Sequence, residues 1–381
     1  MRICIVTEGH PHAAMGGAEY QSHVLAEELS SRSGVEVFYL ARRTAPNLGE
    51  PLPYTVRSIG SSRGIRRRAV AFDALELARV LRELRPDVIY EQMRQSYAAV
   101  CAQYARRAGI PFFVHIASEW DLDPSWIPLR ISPNTPFDML ESITGSWGLR
   151  RSTHVIVQTE AQGRKLRERW NIEPAVLVRN FQPMPAMILP RPVGPLRVLW
   201  VGNIKEVKRP ELYVELARSL RDNPDFHFDM VGRPWDHWRA AQFKADVAAL
   251  PNLTYHGELK IERVNQMMSA ATFFVNTSAH EGFSNTFIQA WAHGAVLLSV
   301  SVDPYEGMEN MGIGFLTGDI PGMKAKLLEL SADRDNLYAL AAHSHRFACD
   351  NHSLGEGAKL ADAILAAAKQ AVGRVHSPAA S

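Results

Sequence analysis

At 381 residues the chain has room for two domains of ordinary size. Apolar residues make up 46% and charged residues 22%, which excludes a disordered or fibrous design. The 42 Lys plus Arg against 40 Asp plus Glu leave a net charge of only +2, so no broad basic field is available for nucleic acid and partners must be sought in local sites.

The three cysteines, Cys4, Cys101 and Cys349, are far apart and in no metal or redox spacing. No disulfide framework is expected, and the reducing cytoplasm is the expected compartment. The opening MRICIVTEGH lacks the apolar stretch of a secretory signal, and no run reaches the roughly 18 apolar residues of a membrane span. Membrane association, at the inner face if anywhere, would then be peripheral.

In chain order, β-branched runs alternate with amphipathic stretches. Strands are expected at 2–7, 35–41, 54–59, 87–91, 112–116, 154–159 and 176–179. Between them lie helical patterns: Tyr20, Val24, Leu25 and Leu29 share a face after Gly16 and Gly17, and Leu75, Leu77, Val80, Leu81 and Leu84 recur ahead of Pro86. From 182 to 195, QPMPAMILPRPVGP carries five prolines and a glycine, which resist helix and central strand and mark a linker. The alternation then restarts, with strands expected at 197–201, 227–231, 253–256, 272–277 and 296–300 and helices at 210–220, 262–271 and 286–293. A helical tail is expected over about 336–372, and GRVHSPAAS from Gly373 reads as disordered. Near-continuous apolar strands alternating with helices imply α/β architecture, two doubly wound domains with parallel sheets covered on both faces. Such sheets bind ligands at the carboxyl ends of their strands, so two ligands around a shared cleft are expected.

Three segments could carry chemistry. After the first strand, Gly9 to Glu19 includes Gly16 and Gly17 ahead of a helix. Glycines there let the backbone approach a ligand, and amides at a helix start attract phosphate or sugar oxygens, although a turn needing glycine only for geometry fits too. The order is not GxGxxG, which removes support for a nicotinamide cofactor. In the second half, the strand ending at Val201 runs into Gly202, Asn203, Ile204, Lys205, Glu206, Val207, Lys208, Arg209 and Pro210. Cations at a strand's carboxyl end suit a diphosphate leaving group, and Lys208 is the leading candidate; an ordinary solvated loop is the alternative. The third segment, SAHEGFSNTFIQAWAHGAVLLSVS over 278–301, places Glu281 in a strand-to-helix loop, Ser284, Asn285 and Thr286 at a helix start and Gln289 about one turn in. A carboxylate can hold sugar hydroxyls, helix amides can hold phosphate, and an amide can hold ribose hydroxyls. Thr286 and Gln289 also fit a T-x-x-Q capping box, in which Gln289 would only finish the helix.

Together these segments resemble the signature of GT4-type retaining glycosyltransferases of the GT-B fold, in which E-x7-E grips the nucleotide sugar. Gly16 to Glu19 resembles that family's GGAE turn, and Gly202 to Pro210 its G-R-x(n)-K-G region. The resemblance runs from Arg2 to about Gly318 and implies two facing Rossmann-like domains with a cleft between them. Residues 1–190 would hold the acceptor and 191–354 the donor, with the helix at about 355–372 packing back on the first domain. It implies catalytic roles for Glu281, on the donor sugar, and Lys208, on the diphosphate. Donor contacts would come from Gly16, Gly17, Ser284, Asn285, Thr286 and, on the ribose, Gln289. No cofactor and no metal are implied.

Departures from the pattern leave alternatives open. Asn203 stands where the motif has a diphosphate arginine, so Arg209 or Arg233 could supply the charge. Gln289 replaces the second glutamate and can still accept from ribose hydroxyls while also donating. The family often has a histidine at the end of the strand that here reads PFFVHIASEWDLD; His115 lies two residues before that position, on the same face, as a catalytic or a structural residue. Asp121-Leu122-Asp123 matches the D-x-D metal pattern of the other glycosyltransferase fold, but lies in the first domain; Glu119, Asp121 and Asp123 are assigned to the acceptor side. Arg164, Lys165, Arg167 and Arg169 followed by Trp170, and Arg63, Arg66, Arg67 and Arg68, could touch an anionic bilayer, with solvated surface the favoured reading. The expected activity is sugar transfer from a nucleoside diphosphate sugar to a hydroxyl of a glycan or lipid-linked acceptor. An epimerase or phosphorylase on the same fold, or a non-catalytic sugar-nucleotide-binding protein, is the alternative.

Overall fold

The computed structural model of the chain describes residues 1–13, 16–45, 51–60, 70–123, 135–233 and 240–376. It divides into two units, Met1–Gln182 with Leu354–Ser381, and Pro183–Ser353. The proline-rich stretch goes with the second unit, because Arg191 there donates to the carbonyls of Ala271 and Gly294.

In the first unit the chain runs β1 (Arg2–Gly9), α1 (Gly17–Ser30), β2 (Glu36–Arg43), β3 (Thr55–Ser58), α2 (Val70–Leu84) and β4 (Val88–Gln92). It continues through α3 (Tyr97–Ala108), β5 (Phe112–His115), α4 (Thr135–Leu149), β6 (His154–Val157), α5 (Glu160–Trp170) and β7 (Val176–Leu177). The strands form a parallel sheet in the order β3-β2-β1-β4-β5-β6-β7. Alternate residues of each strand serve opposite faces. Ile3, Ile5, Tyr90 and Phe113 join one core and Cys4, Val6, Ile89 and Val114 the other, which is why these strands read as unbroken apolar runs.

The second unit holds β8 (Leu196–Val201), α6 (Pro210–Ser219), β9 (Phe226–Val231), α7 (Ala240–Ala248), β10 (Leu253–Tyr255) and α8 (Ile261–Ala270). After these come β11 (Phe273–Asn276), α9 (Asn285–Ala292), β12 (Val296–Ser299), β13 (Phe315–Leu316), α10 (Ile320–Ser331) and α11 (Arg334–His352). Its sheet is again parallel, in the order β10-β9-β8-β11-β12-β13. In each sheet the order reverses beside the first strand, between β1 and β4 and between β8 and β11. By the general rule for open α/β sheets, the carboxyl ends of those pairs are where a ligand crevice is expected.

The helical tail differs from the expected single stretch. Ser353, with ψ 172°, breaks it into α11 and α12 (Leu354–His376), and the break is where the chain returns to the first unit. There Leu360, Ala361, Ile364 and Ala368 share a core with Leu25 and Leu29 of α1. The helix passes Gly373, where disorder was expected, and reaches His376; 377–381 lie outside the described residues. One interior glycine costs about 1 kcal/mol, too little to stop an alanine-rich helix with a buried face.

Trp170, offered by the sequence as a membrane contact, is instead core: its Nε1 donates to the Leu122 carbonyl at 3.0 Å, and the Arg150 and Arg94 guanidinium groups lie 4.9 and 5.5 Å from its ring. That removes the aromatic anchor from the Arg164 to Trp170 stretch. Arg63, Arg66, Arg67 and Arg68 lie outside the described residues. Among the described residues no helix is long and apolar enough to cross a membrane.

At the carboxyl ends of β8 and β9, Gly232 has φ +155° and a Cβ on it would overlap the carbonyl oxygen of Gly202. Gly232→Ala must therefore part the two strand ends. It is expected to lower stability by about 1–3 kcal/mol, read as a lower urea midpoint.

Candidate functional site

The crevice between β8 and β11 gathers most of the candidates of the second unit. Past Val201, the backbone makes a short 3-10 turn (Glu206–Lys208), closed by Lys208 N donating to Lys205 O at 2.9 Å and Arg209 N to Glu206 O at 3.0 Å. The loop after β11 is laced to this turn. Ala279 N donates to Val207 O at 2.9 Å, and the Thr277 hydroxyl donates to Lys208 O at 2.7 Å while accepting from Trp200 Nε1 at 3.0 Å.

This lacing brings the Lys208 ammonium onto the Glu281 carboxylate, in an ion pair whose side chains are 18% and 11% exposed. The same Glu281 oxygen accepts from the Ser278 hydroxyl at 2.6 Å and Asn276 Nδ2 at 3.4 Å. Asn276 in turn accepts from Ser278 N at 3.2 Å, so the carboxylate has a fixed seat. Lys205 belongs to the same cluster. Its pKa is lowered by burial and by Lys208, an effect that Glu281 opposes.

At the start of α9 the N-cap is Ser284, which makes no side-chain bond to the helix amides; its hydroxyl lies 2.9 Å from that of Thr286. Thr286 is already inside the helix, so the T-x-x-Q capping box does not form. Gln289 is buried and donates Nε2 to Asn265 Oδ1 of α8 at 3.0 Å. The first turn of α9, with Asn285 at its head, thus receives no side-chain cap from its N-cap residue Ser284.

Asn203, at the position of the missing arginine, is half-buried; of the two residues suggested to supply the charge, Arg233 is exposed, with its carbonyl accepting from Ile204 N at 2.9 Å. Arg209 has φ +45°, a left-handed backbone, and its guanidinium donates to Thr277 O at 2.6 Å, Ser278 O at 2.9 Å and Ser301 Oγ at 2.7 Å. It fastens the loop after β11 from below.

The first unit holds the other candidates. Gly16 is the N-cap of α1, and Gly17 its first residue. A Cβ at Gly16 would overlap the Glu19 carboxylate folded over it, a clash that the flexible side chain could relieve by turning aside. That carboxyl is half-hidden and burial raises its pKa. Behind this turn, the Tyr54 hydroxyl bridges His10 Nε2 at 3.0 Å and His23 Nδ1 at 2.6 Å, and burial lowers the His10 pKa to about 4.

His115 is buried at the end of β5, with Nδ1 2.6 Å from the Tyr90 hydroxyl. Tyr90 and Ser22 both donate to Gln92 Oε1, at 3.2 and 2.9 Å. Burial drives the His115 pKa down to about 3, so any catalytic part would fall to a neutral imidazole; the surroundings are those of a structural histidine. Asp121 requires a correction. It is 5% exposed, and its oxygens accept from Ala117 N and Ser118 N at 2.9 Å and Arg94 N at 3.2 Å. It braces its own loop, and an acceptor contact from that carboxylate would require breaking those bonds. Glu119 opens the 3-10 turn (Glu119–Leu122) that contains it.

Four residues of the site escaped the sequence reading: Lys205, Asn276, Ser278 and Asn265. Only Ser278, three residues before Glu281, carried a local signal. A cavity of about 260 Å³ lies at the opposite, amino ends of β8 and β11, lined by Arg191, Pro195, Leu196, Thr272, Arg334 and Tyr338. Its lining has two arginines but no carboxylate, and Arg191 is committed to two carbonyls, so the loops carrying the Lys208 and Glu281 pair are the better candidate site.

Two family models match the chain: "Glycosyl transferase 4-like domain" over residues 16–180 and "Glycosyl transferases group 1" over 195–333. Among curated proteins none matches. Sucrose-phosphate synthase from Thermosynechococcus elongatus is similar in structure at a TM-score of 0.75 and 17% identity, over 98% of this chain and 99% of that one. HepE of Anabaena in complex with UDP and glucose gives 0.75 at 15% identity, over 96% and 99%. The lipopolysaccharide outer core galactosyltransferase WaaB gives 0.65 at 16%, over 96% and 99%. At these identities the likeness is one of fold, and that fold is GT-B.

Two outcomes are expected from the geometry. Unfolded histidine titrates near 6.5, above the folded values of about 4 for His10 and about 3 for His115. The unfolded chain therefore binds protons first, and stability should fall as pH drops from about 6.5 toward 4. Urea midpoints measured across that range should show the fall, with a shallower slope in His115→Gln. At Arg209, both Arg209→Ala and Arg209→Gly lose the three guanidinium bonds, but only alanine keeps the left-handed cost of about 1 kcal/mol. The glycine variant should be the more stable of the two by that amount, again by urea unfolding.

Proposed function

The chain belongs to the group 1 glycosyl transferases, a GT4-type enzyme acting with a nucleotide sugar, and from that membership we propose that it retains the anomeric configuration, needs no metal, and transfers to a hydroxyl of a glycan or lipid-linked acceptor. The observation that carries the reading is the Lys208 and Glu281 pair beside the start of α9. A departing diphosphate needs cations and oriented N–H groups where its charge develops, and both lie at one crevice.

Glu281, seated by Ser278 and Asn276, would accept from donor sugar hydroxyls; Lys208 would face the diphosphate; Gln289 would meet the ribose. As the bond from the anomeric carbon to phosphate breaks, the electron pair leaves with the diphosphate. The acceptor oxygen bonds to carbon on the same face, and its proton passes to the departing phosphate oxygen. Glu281 already engages the Lys208 ammonium and the Ser278 hydroxyl, which favours the phosphate in the role. Nucleotide binding in this kind of fold is supported by HepE, solved with UDP and with UDP-glucose. WaaB, named for a lipopolysaccharide outer core, supports a lipid-linked glycan as acceptor, and peripheral membrane contact would then bring enzyme and acceptor together.

Lys208→Ala and Glu281→Ala are each expected to lower transfer at least about a hundredfold with unchanged circular dichroism. Turnover persisting in either would remove that residue from the site. Transfer should continue in excess chelator, and the product's anomeric proton coupling should match the donor's. Loss of activity that Mg²⁺ or Mn²⁺ restores would overturn the metal-free mechanism, and an inverted product the retaining one.

A further inference from the structure

In the first unit, α4 is inverted for a helix that covers a core: its bulky apolar side chains lie on the side away from the packing. The packed side is small and polar. A Cβ on Gly148 would overlap Ala98 of α3, one on Gly145 would stand 3.1 Å from the Gln95 carbonyl, and the Ser146 hydroxyl accepts from Arg94 at 2.7 Å. Leu149 is buried with them.

The opposite side carries the bulk. Met139, Leu140 and Ile143 are 46%, 43% and 62% exposed. Met139, Ile143, Trp147 and Arg151 follow at every fourth residue, one line along the helix, and the Arg151 guanidinium lies 4.1 Å from the centre of the Trp147 ring. Arg150 N donates to the Ser146 carbonyl at 3.1 Å, so the helical turn runs on far enough to bring the exposed Arg150 to the same side. By the same spacing the acids of the helix, Asp138 and Glu141, fall on the other side, and both are partly buried.

This face is apolar along its length and cationic at its end, and it carries no carboxylate. A second copy of the chain would bring the same two cations and no anion to meet them. Three half-exposed side chains also offer only a few hundred Å² of apolar surface, short of the roughly 800 Å² per partner of a stable protein interface. An anionic lipid surface answers both features. Its acyl boundary accepts the apolar side chains, and its headgroup phosphates accept the guanidinium groups.

We propose that this face of α4 is a docking surface for bilayers that contain anionic lipid. It gives the peripheral membrane contact of the proposed function a place on the chain, and it rests on that reading for its purpose though not for its geometry. With Trp170 in the core, α4 supplies the apolar anchor that the Arg164 to Trp170 stretch lacks.

The test is flotation of the full chain with vesicles of phosphatidylcholine alone and of about three parts phosphatidylcholine to one part phosphatidylglycerol. The unaltered chain should float with the anionic vesicles, less so as salt is raised. Leu140→Gln with Ile143→Gln should lower the ratio of bound to free protein at least about tenfold, and Arg150→Gln with Arg151→Gln about three- to tenfold on the anionic vesicles alone. Circular dichroism checks that each variant is folded, and Ile143→Ser alone serves should the first pair not be. Absence of binding by the unaltered chain, or binding that either pair leaves unchanged, would overturn the proposal. So would a dimer, seen by sedimentation, that Leu140→Gln with Ile143→Gln dissolves while the vesicles bind nothing. No nucleotide sugar enters the assay, so failure here is distinct from failure of the donor reading.

Discussion

The salt bridge between Lys208 and Glu281 joins the two loops that form the candidate site. Those loops leave neighbouring strands, β8 and β11, at the point where the sheet order reverses, and nothing in sheet geometry alone would keep their tips together. Charge does so. Both side chains are largely shielded from water, where an ammonium or a carboxylate alone would be costly, so each holds the other's loop in place. The same pair leaves a carboxylate and a cation side by side, the two chemistries that a sugar and its phosphate leaving group require. Under the proposed function, structural and catalytic demands fall on one contact.

Support for that contact comes from below. Arg209 accepts an unfavourable left-handed backbone and in return its guanidinium meets two carbonyls at the end of β11. In the related motif the residue after the lysine is glycine, which takes that conformation without cost. Here an arginine occupies it and the added hydrogen bonds offset the strain. A side chain that looked like spare positive charge is part of the scaffold.

Much of the architecture was legible in the sequence because burial on both faces leaves a strong mark. Cys4 to Val6, Ile89 to Tyr90 and Phe273 to Val275 are unbroken apolar runs, and both parallel sheets follow from such runs. The proline-rich stretch and the positions of Glu281 and Lys208 were legible for similarly local reasons. Side-chain partnerships were not. That Arg209 would turn inward depended on a backbone angle, and that Gln289 would donate to Asn265 rather than finish a capping box depended on how α8 lies beside α9. Ser353 breaks the tail because the chain changes unit there, a tertiary requirement without a proline or glycine at the break to announce it. Asp121 carried a metal-like spacing, yet backbone amides take its oxygens.

The two departures from the family motif, considered together, conserve charge. Arginine to Asn203 removes one positive charge, and glutamate to Gln289 removes one negative charge, so the four motif positions keep a net charge of zero. A neutral Gln289 no longer needs a cation nearby; it needs a neutral acceptor, which Asn265 supplies at 3.0 Å. Each substitution alone would leave an imbalance in a half-buried crevice. As a pair, with Asn265 accepting from Gln289, they leave the charge of the motif positions balanced.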